Sequence, residues 1–222
     1  MKKIIIAIDG PASSGKSTVA KKLAQHFKIL HFNTGNLYRV ISLFCIKNNI
    51  DYNNEQKVLI ELNHCNIEVK FENNIQKDFL NGEFVTAYLR DEEVGRVSSI
   101  VSQYADVRKK ILNTQRSVAE KMSLVMEGRD ITSEVLPNAN YKFFITATPE
   151  ERAKRRFKEL SEKGILCDYQ TILNEIKIRD KRDTERKIAP LKLVPDAIKL
   201  DTTQMDIDQV VENIIKIIEK NA

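Results

Sequence analysis

The sequence predicts an α/β fold: a doubly wound parallel sheet with a phosphate loop (P-loop), a small antiparallel β-rich insertion and a helical lid. Three observations carry this. Short β-branched apolar runs alternate with segments of helical apolar spacing along most of the 222 residues, the pattern of repeated βαβ units. The first run passes through a Gly-rich turn into a helix-type segment. Residues 63–95 break the alternation, with period-two patterning and Asn/Gly turn signals.

Residues 4–8 are a continuous apolar run closed by Gly10-Pro11, which reads as a strand buried on both faces. In 17–27, Val19, Ala20, Leu23, Ala24 and Phe27 recur at helical spacing. Leu30-His31-Phe32 is a short second strand, and 37–47 a helix with Leu37, Val40, Ile41, Phe44 and Cys45 on one face. A short helix over 55–62 precedes the alternating run 66–71. Asn73-Asn74 marks a turn, and Asn81-Gly82 between Phe79-Leu80 and Phe84-Val85 marks a further hairpin. Helix returns over 94–121, broken once near Ala105-Asp106. Residues 124–126 are a short buried strand ending at Glu127-Gly128-Arg129-Asp130, and 141–146 are another. A helix over 150–162 is broken by Gly164, and a second, over 169–187, stops before Pro190. A last strand over 197–201 and a helix over 207–220 close the chain.

Hydrophobic residues make up 42% and charged residues 30%, which supports a packed core and excludes a disordered chain. No apolar stretch approaches the roughly 18 residues of a membrane-spanning helix. The N-terminal apolar run is too short for a signal peptide and is cut off by Asp9-Gly10-Pro11. Cys45, Cys65 and Cys167 are odd in number and lack metal-ligand spacing, so they read as reduced thiols of a cytoplasmic protein. His26, His31 and His64 form no ligand pattern. A formal charge of +5 and a pI near 9.0 point to an anionic partner. With no Trp and 7% aromatics, platforms for stacking bases are few, which argues against a nucleic-acid-binding ATPase.

Gly10-Pro11-Ala12-Ser13-Ser14-Gly15-Lys16-Ser17 fits G-x-x-x-x-G-K-[ST] at every fixed position, between a strand and a helix. The loop backbone curls so that successive N–H groups face phosphate oxygens, and the helix adds its positive end. Lys16 is placed to reach the β- and γ-phosphates of a nucleotide, and Ser17 to offer a hydroxyl to Mg²⁺. The Asn-Lys-x-Asp of a GTPase is absent. Residues 150–187 hold twelve Lys/Arg against nine Asp/Glu. Arg179, Arg182 and Arg186, spaced i, i+3, i+7, are expected to share one helical face, with Asp183 beside it. Bringing two polyanions together needs such cations, and a helical hairpin hinged near Gly164 would serve as the lid. A small kinase acting on a phosphorylated acceptor fits this pattern.

Several blocks occur together in order: 8–18, Asn33-Thr34-Gly35-Asn36-Leu37-Tyr38-Arg39, Val97-Ser98-Ser99 with Val107-Arg108, 127–131, 151–156, and Arg179-Asp180-Lys181-Arg182-Asp183 through Arg186 and Ala189-Pro190-Leu191. This set resembles the bacterial cytidylate kinases of the nucleoside monophosphate kinase group, over nearly the whole chain. The resemblance implies a core of 1–62, 96–149 and 188–222, a monophosphate-binding insertion over 63–95 and a lid over 150–187. It implies ATP bound by Gly10, Pro11, Ala12, Ser13, Ser14, Gly15, Lys16, Ser17 and Thr18, with Arg152 over the adenine and Arg156 on the phosphates. Thr34, Arg39, Arg129, Arg179 and Arg186 would hold the acceptor phosphate, Asp183 the ribose hydroxyls, and Ser99, Arg108 and Asp130 the cytosine edge. Lys16, Arg129, Arg179 and Arg186 would serve catalysis, with Ser17 on Mg²⁺. The implied partners are ATP and CMP or dCMP, with no nucleic acid and no membrane, for a cytoplasmic monomer. The runner-up is a P-loop kinase of another small acceptor, such as UMP. The chain departs from the family pattern at Asn33 (usually Asp), Asn36 (usually Ala) and Thr132 (usually Gly).

Overall fold

The computed structural model of the protein describes residues 3–220. Its central strand, β1 (Ile5–Asp9), is buried at every position. Side chains alternate across it: Ile6 and Ile8 join one core, and Ile5 and Ala7 the other. The remaining parallel strands are β2 (Leu30–Asn33), β6 (Leu124–Gly128), β7 (Tyr141–Thr146) and β8 (Ile198–Asp201), in the order β2-β6-β1-β7-β8. All four pairings are parallel, as the predicted fold class requires.

Helices α1 (Lys16–Phe27) and α8 (Ile207–Lys220) cover one face, packing Val19, Leu23 and Ile214 against Ile6, Ile8 and Phe143. Helix α2 (Gly35–Lys47) and two later helices cover the other, packing Leu37, Ile41, Val97 and Ile111 against Ala7, Phe32 and Met126. A short α3 (Glu55–Glu61) leads into the insertion.

The insertion holds a three-stranded antiparallel sheet, β3 (Ile67–Glu72), β4 (Ile75–Leu80) and β5 (Glu83–Phe84). Asn73 and Asn74 both have positive φ, as do Asn81 and Gly82, the signature of two-residue hairpin turns that match strand twist. Ile67, Val69 and Phe71 pack toward the core, with Phe71 edge-on to Phe32 at 5.7 Å.

The helical stretch expected over 94–121 with one break is α4 (Glu92–Val101) and α5 (Ala105–Lys121). The break falls at 102–104, where Tyr104 is extended. Helices α6 (Pro149–Glu162) and α7 (Tyr169–Glu185) form the charged hairpin around a small core of Ala153, Leu160, Ile172, Leu173 and Ile176. Thr148 and Asp168 cap them, accepting from Glu151 N–H and Thr171 N–H. Helix α7 ends two residues before the expected 187. Arg186 is extended, and the Asp183 carbonyl accepts Leu191 N–H at 2.8 Å as the chain doubles back toward Pro190. Arg186 caps the helix with its N–H still on the Arg182 carbonyl, and it lines the same cleft as Arg179 and Arg182.

Asp9 closes β1 and is 0% exposed. Its carboxylate accepts from Ile131 N–H (2.8 Å), Thr132 N–H (2.8 Å) and the Thr132 hydroxyl (2.6 Å). It thereby holds the wide helical turn Ile131–Val135 that follows Arg129 and Asp130. The departure at 132 is absorbed here, because the Thr132 hydroxyl supplies a third donor to a buried carboxylate. Burial pushes the Asp9 carboxyl from 3.8 up to about 6, with the three donors working the other way.

Asp9→Ala strips an acceptor from three buried donors and is expected to lower unfolding stability by about 3 kcal/mol in urea melts. With a folded pKa above the unfolded one, Asp9 contributes stability fully present below pH 3.8 and lost as pH rises through about 6. Wild type should thus lose stability relative to Asp9→Asn between pH 3.8 and about pH 6, the range set by that shift. The opposite slope would mean that the donors outweigh burial.

Candidate active site

A cleft of about 1000 Å³ opens at the C-terminal ends of the parallel strands, between the P-loop, the start of α2, α4 and the α6–α7 hairpin. Gly15, with φ 84, caps α1 in the left-handed region that glycine tolerates. Lys16 is buried and its Nζ donates to the Pro11 carbonyl at 2.8 Å. Burial, with Arg129 and Arg179 nearby, holds its ammonium well below the usual lysine range, against the pull of Glu127 and Asp183.

The Ser17 hydroxyl donates to Glu127 Oε2 at 2.7 Å, and His31 Nε2 lies 3.0 Å from Glu127 Oε1. Burial alone would raise the Glu127 carboxyl, but His31, Lys16 and Ser17 hold it below the ordinary range. A hydroxyl and an ionised carboxylate beside the P-loop are hard oxygen donors of the kind Mg²⁺ prefers.

Across the cleft, Thr34 opens α2; its N–H and hydroxyl both donate to the Glu127 carbonyl, at 3.2 and 2.8 Å. Arg39 Nη1 donates to the Leu89 carbonyl at 2.6 Å, and both its Nη atoms lie close against Gly95. Arg129 Nε donates to Asp183 Oδ2 at 2.9 Å. Burial would raise the Asp183 carboxyl, yet Arg129 and Arg179 keep it below the usual range. Burial, then Arg129, push the Arg179 guanidinium down to about 10. Arg179 Nε, Arg186 Nη2 and Ser14 Oγ are buried without a hydrogen-bond partner, although Asp130 Oδ1 lies 3.8 Å from Arg186 Nη2.

Ser99, Arg108 and Asp130 come together, but in two layers. Arg108 Nη2 pairs with Asp130 Oδ2, Nη1 donates to the Ser102 carbonyl at 2.9 Å, and the guanidinium sits 5.4 Å above the Tyr38 ring. Arg108 thus stands behind Asp130 and meets the cleft through it. Ser99 Oγ accepts from Arg182 Nη1 at 2.9 Å.

Residues 12–18, Thr34, Arg39, Ser99, Arg129, Asp130, Arg156, Arg179, Asp183 and Arg186 line the cleft, while Gly10 and Pro11 lie beneath it. Arg156 pairs with Glu92 and Glu159. Arg152 stands apart from these. It is 3% exposed and is not among the residues of the cleft wall; it donates to Ala147 O (2.9 Å) and Ala12 O (3.2 Å) and grips Asp180 with both Nη atoms, stapling the hairpin to the P-loop. Arg155, unassigned from sequence, occupies the cleft edge beside Gly15 and donates to Thr202 O at 2.6 Å. Glu127 and Asp9 were also missed. Their position at the ends of adjacent strands flanking the P-loop was the available signal.

Phosphate-cradling loop, flanking parallel strands and a facing set of arginines define a P-loop kinase. The chain belongs to the cytidylate kinase family, whose model matches residues 6–220. It is 44% identical to the cytidylate kinase of Caldicellulosiruptor bescii over 220 residues, covering 99% of this chain and 97% of that one. It is 41% identical to that of Bacillus subtilis over 221 residues (100% and 99%), and 47% identical to that of Pediococcus pentosaceus over 218 (98% and 96%). An uncharacterized protein from Eubacterium ventriosum shares the fold, with a TM-score of 0.50 at 22% identity, covering 98% of this chain and 99% of that one.

A Cβ on Gly95 would stand 3.2 Å from both terminal nitrogens of Arg39. The guanidinium is the free end of a flexible side chain, so Gly95→Ala should displace Arg39 and leave the fold intact. We expect KM for the phosphate acceptor to rise about tenfold, a loss of ~1.4 kcal/mol, with the thermal melt little changed. An unaltered KM would remove Arg39 from acceptor binding.

Proposed function

We propose that the enzyme transfers the γ-phosphoryl group of ATP to CMP, and to dCMP, giving ADP and CDP or dCDP. The observation that carries this reading is the cation cluster of the cleft. Lys16, Arg129, Arg179 and Arg186 converge in a buried space where Asp183 and Asp130 are the facing carboxylates, and donors on Arg179 and Arg186 are unspent. Phosphates are the anions this arrangement suits, because guanidinium forks match their geometry and never lose charge at working pH.

An acceptor phosphate oxygen attacks the γ-phosphorus in line as the bond to the β-bridging oxygen breaks and ADP leaves. The acceptor is already anionic, so no general base and no covalent intermediate are needed. Ser17 and Glu127 would hold Mg²⁺, which supplies charge neutralisation on the β- and γ-oxygens. Lys16 steadies the same phosphates from the P-loop. Arg179 and Arg186 take up charge on the transferred group, and Arg129, held by Asp183, lies against the acceptor. The names of the 41–47% identical relatives support cytidine as the base. In this reading Asp130, backed by Arg108, accepts from the cytosine exocyclic amine; uracil offers an oxygen there, leaving a carboxylate without a donor.

A coupled ATP assay over a panel of monophosphates tests the substrate: CMP and dCMP should lead, and a preference for another acceptor would reject the assignment. Lys16→Ala should lower kcat by about 10²-fold or more, ~3 kcal/mol of transition-state stabilisation. Asp130→Asn, which keeps shape and gains a donor, should narrow the CMP-to-UMP ratio of kcat/KM by about tenfold. A ratio that does not move would mean the base is read elsewhere.

A further inference from the structure

On the far side of the α2 entrance from the P-loop lies a buried polar network contributed by the insertion. Strand β2 is the edge of the parallel sheet, so its last residue, Asn33, turns one backbone edge away from β6. Gln76 of β4 meets that edge with its carboxamide. Gln76 Oε1 accepts Asn33 N–H at 2.8 Å, and Gln76 Nε2 donates to Asn33 O at 3.2 Å. One side chain thus does what a neighbouring strand would do for a single residue.

Gln76 is itself oriented. Its Nε2 also donates to Asp78 Oδ1 at 2.6 Å, and Asp78 is 0% exposed. The other carboxylate oxygen, Oδ2, accepts from Asn36 Nδ2 at 2.7 Å and from the Thr86 hydroxyl at 3.4 Å. Asp78 N–H in turn donates to Thr86 Oγ1 at 2.8 Å. The turn 33–36 is therefore gripped at both ends from β4, by Gln76 at Asn33 and by Asp78 at Asn36. Between those grips lies Thr34, tied to the Glu127 carbonyl from the opposite side. Two of the positions at which this chain departs from its family pattern, 33 and 36, are the two that the network holds. At 36 the asparagine side chain itself makes the bond, which alanine could not.

We propose that Gln76 and Asp78 are positioning residues of the acceptor site, holding the turn 33–36 so that Thr34 and the first turn of α2 face the acceptor phosphate. This rests on the acceptor reading given above. The network touches neither the P-loop nor the lid arginines, so its loss should act on the acceptor and spare the donor. A fully buried carboxylate that binds side chains from two segments rigidifies both when every partner is satisfied, and a small misplacement of a binding group is costly in affinity.

The test is steady-state kinetics of the full chain with ATP and CMP. Asp78→Ala and Gln76→Met should each raise KM for CMP about tenfold, with KM for ATP and kcat within about threefold of wild type. Asp78→Asn should rescue, because its carboxamide still accepts from Gln76 Nε2 and bonds Asn36 once that amide turns over. Equal shifts in both KM values, a fall in kcat at constant KM, or no change would each overturn the proposal. So would failure of Asp78→Asn to rescue. If Asp78→Ala does not fold, Gln76→Met decides on the same criteria; if neither folds, the network is a folding element and the proposal falls. Wild-type enzyme that does not phosphorylate CMP would instead overturn the substrate, and the variants would then be read on the monophosphate that the panel selects.

Discussion

Lys16, Arg129, Arg179 and Arg186 bring four cations to one cleft, Lys16 and Arg186 buried and Arg129 and Arg179 partly so. Like charges at such range repel more strongly than in bulk solvent, so the surrounding structure is organised to hold them. Asp183 takes Arg129, Asp130 stands near Arg186 and pairs with Arg108, and Glu127 offsets Lys16. The carboxylates come from β6, the turn after it and α7, three separate pieces of chain. The cations come from α1, that same turn and the lid region. No local element can satisfy this arrangement alone, and the parallel sheet is what brings the pieces to one edge.

Asp9 shows how the sheet does so. It is the last residue of the central strand and the residue before the P-loop, yet its carboxylate caps the turn after Asp130. The P-loop and the turn after β6 are thus referenced to one side chain. Arg152 makes a comparable tie on the other side, joining Ala12 of the P-loop to Asp180 of α7. Asp180 receives Arg152 from α6 within the hairpin, and Asp183, three residues on, receives Arg129 from the turn after β6. The hairpin is therefore registered against the core by Asp183 on Arg129 and by Arg152 on the Ala12 carbonyl, while Arg155, Arg156, Arg179, Arg182 and Arg186 line the cleft.

What was legible in the sequence follows range. The P-loop is contiguous and its geometry is local, so residues 10–18 could be read directly, as could the alternating strands and helices. The hairpin turns at Asn73-Asn74 and Asn81-Gly82 were legible for the same reason. The placement of Arg152 was not legible, because a family motif does not say what packs against it: the Ala147 and Ala12 carbonyls and Asp180 take its donors. Glu127, Asp78 and Gln76 carry no motif of their own; their importance comes from partners 42 to 110 residues away.

The departures at 33, 36 and 132 follow the same physics. At two of them the side chain present bonds a buried carboxylate: Thr132 gives Asp9 a hydroxyl, and Asn36 gives Asp78 an amide. At 33 it is the backbone that Gln76 holds. A buried donor or acceptor left alone costs ~1–3 kcal/mol, enough to remove a large part of the stability of an ordinary domain if repeated. Tolerance of these changes thus depends on distant residues that complete the bonds, and position 36 cannot be exchanged independently of position 78. The turn 33–36 and β4 are consequently a linked set. The residues of the turn are to be interpreted together with the insertion strand behind them, not one motif position at a time.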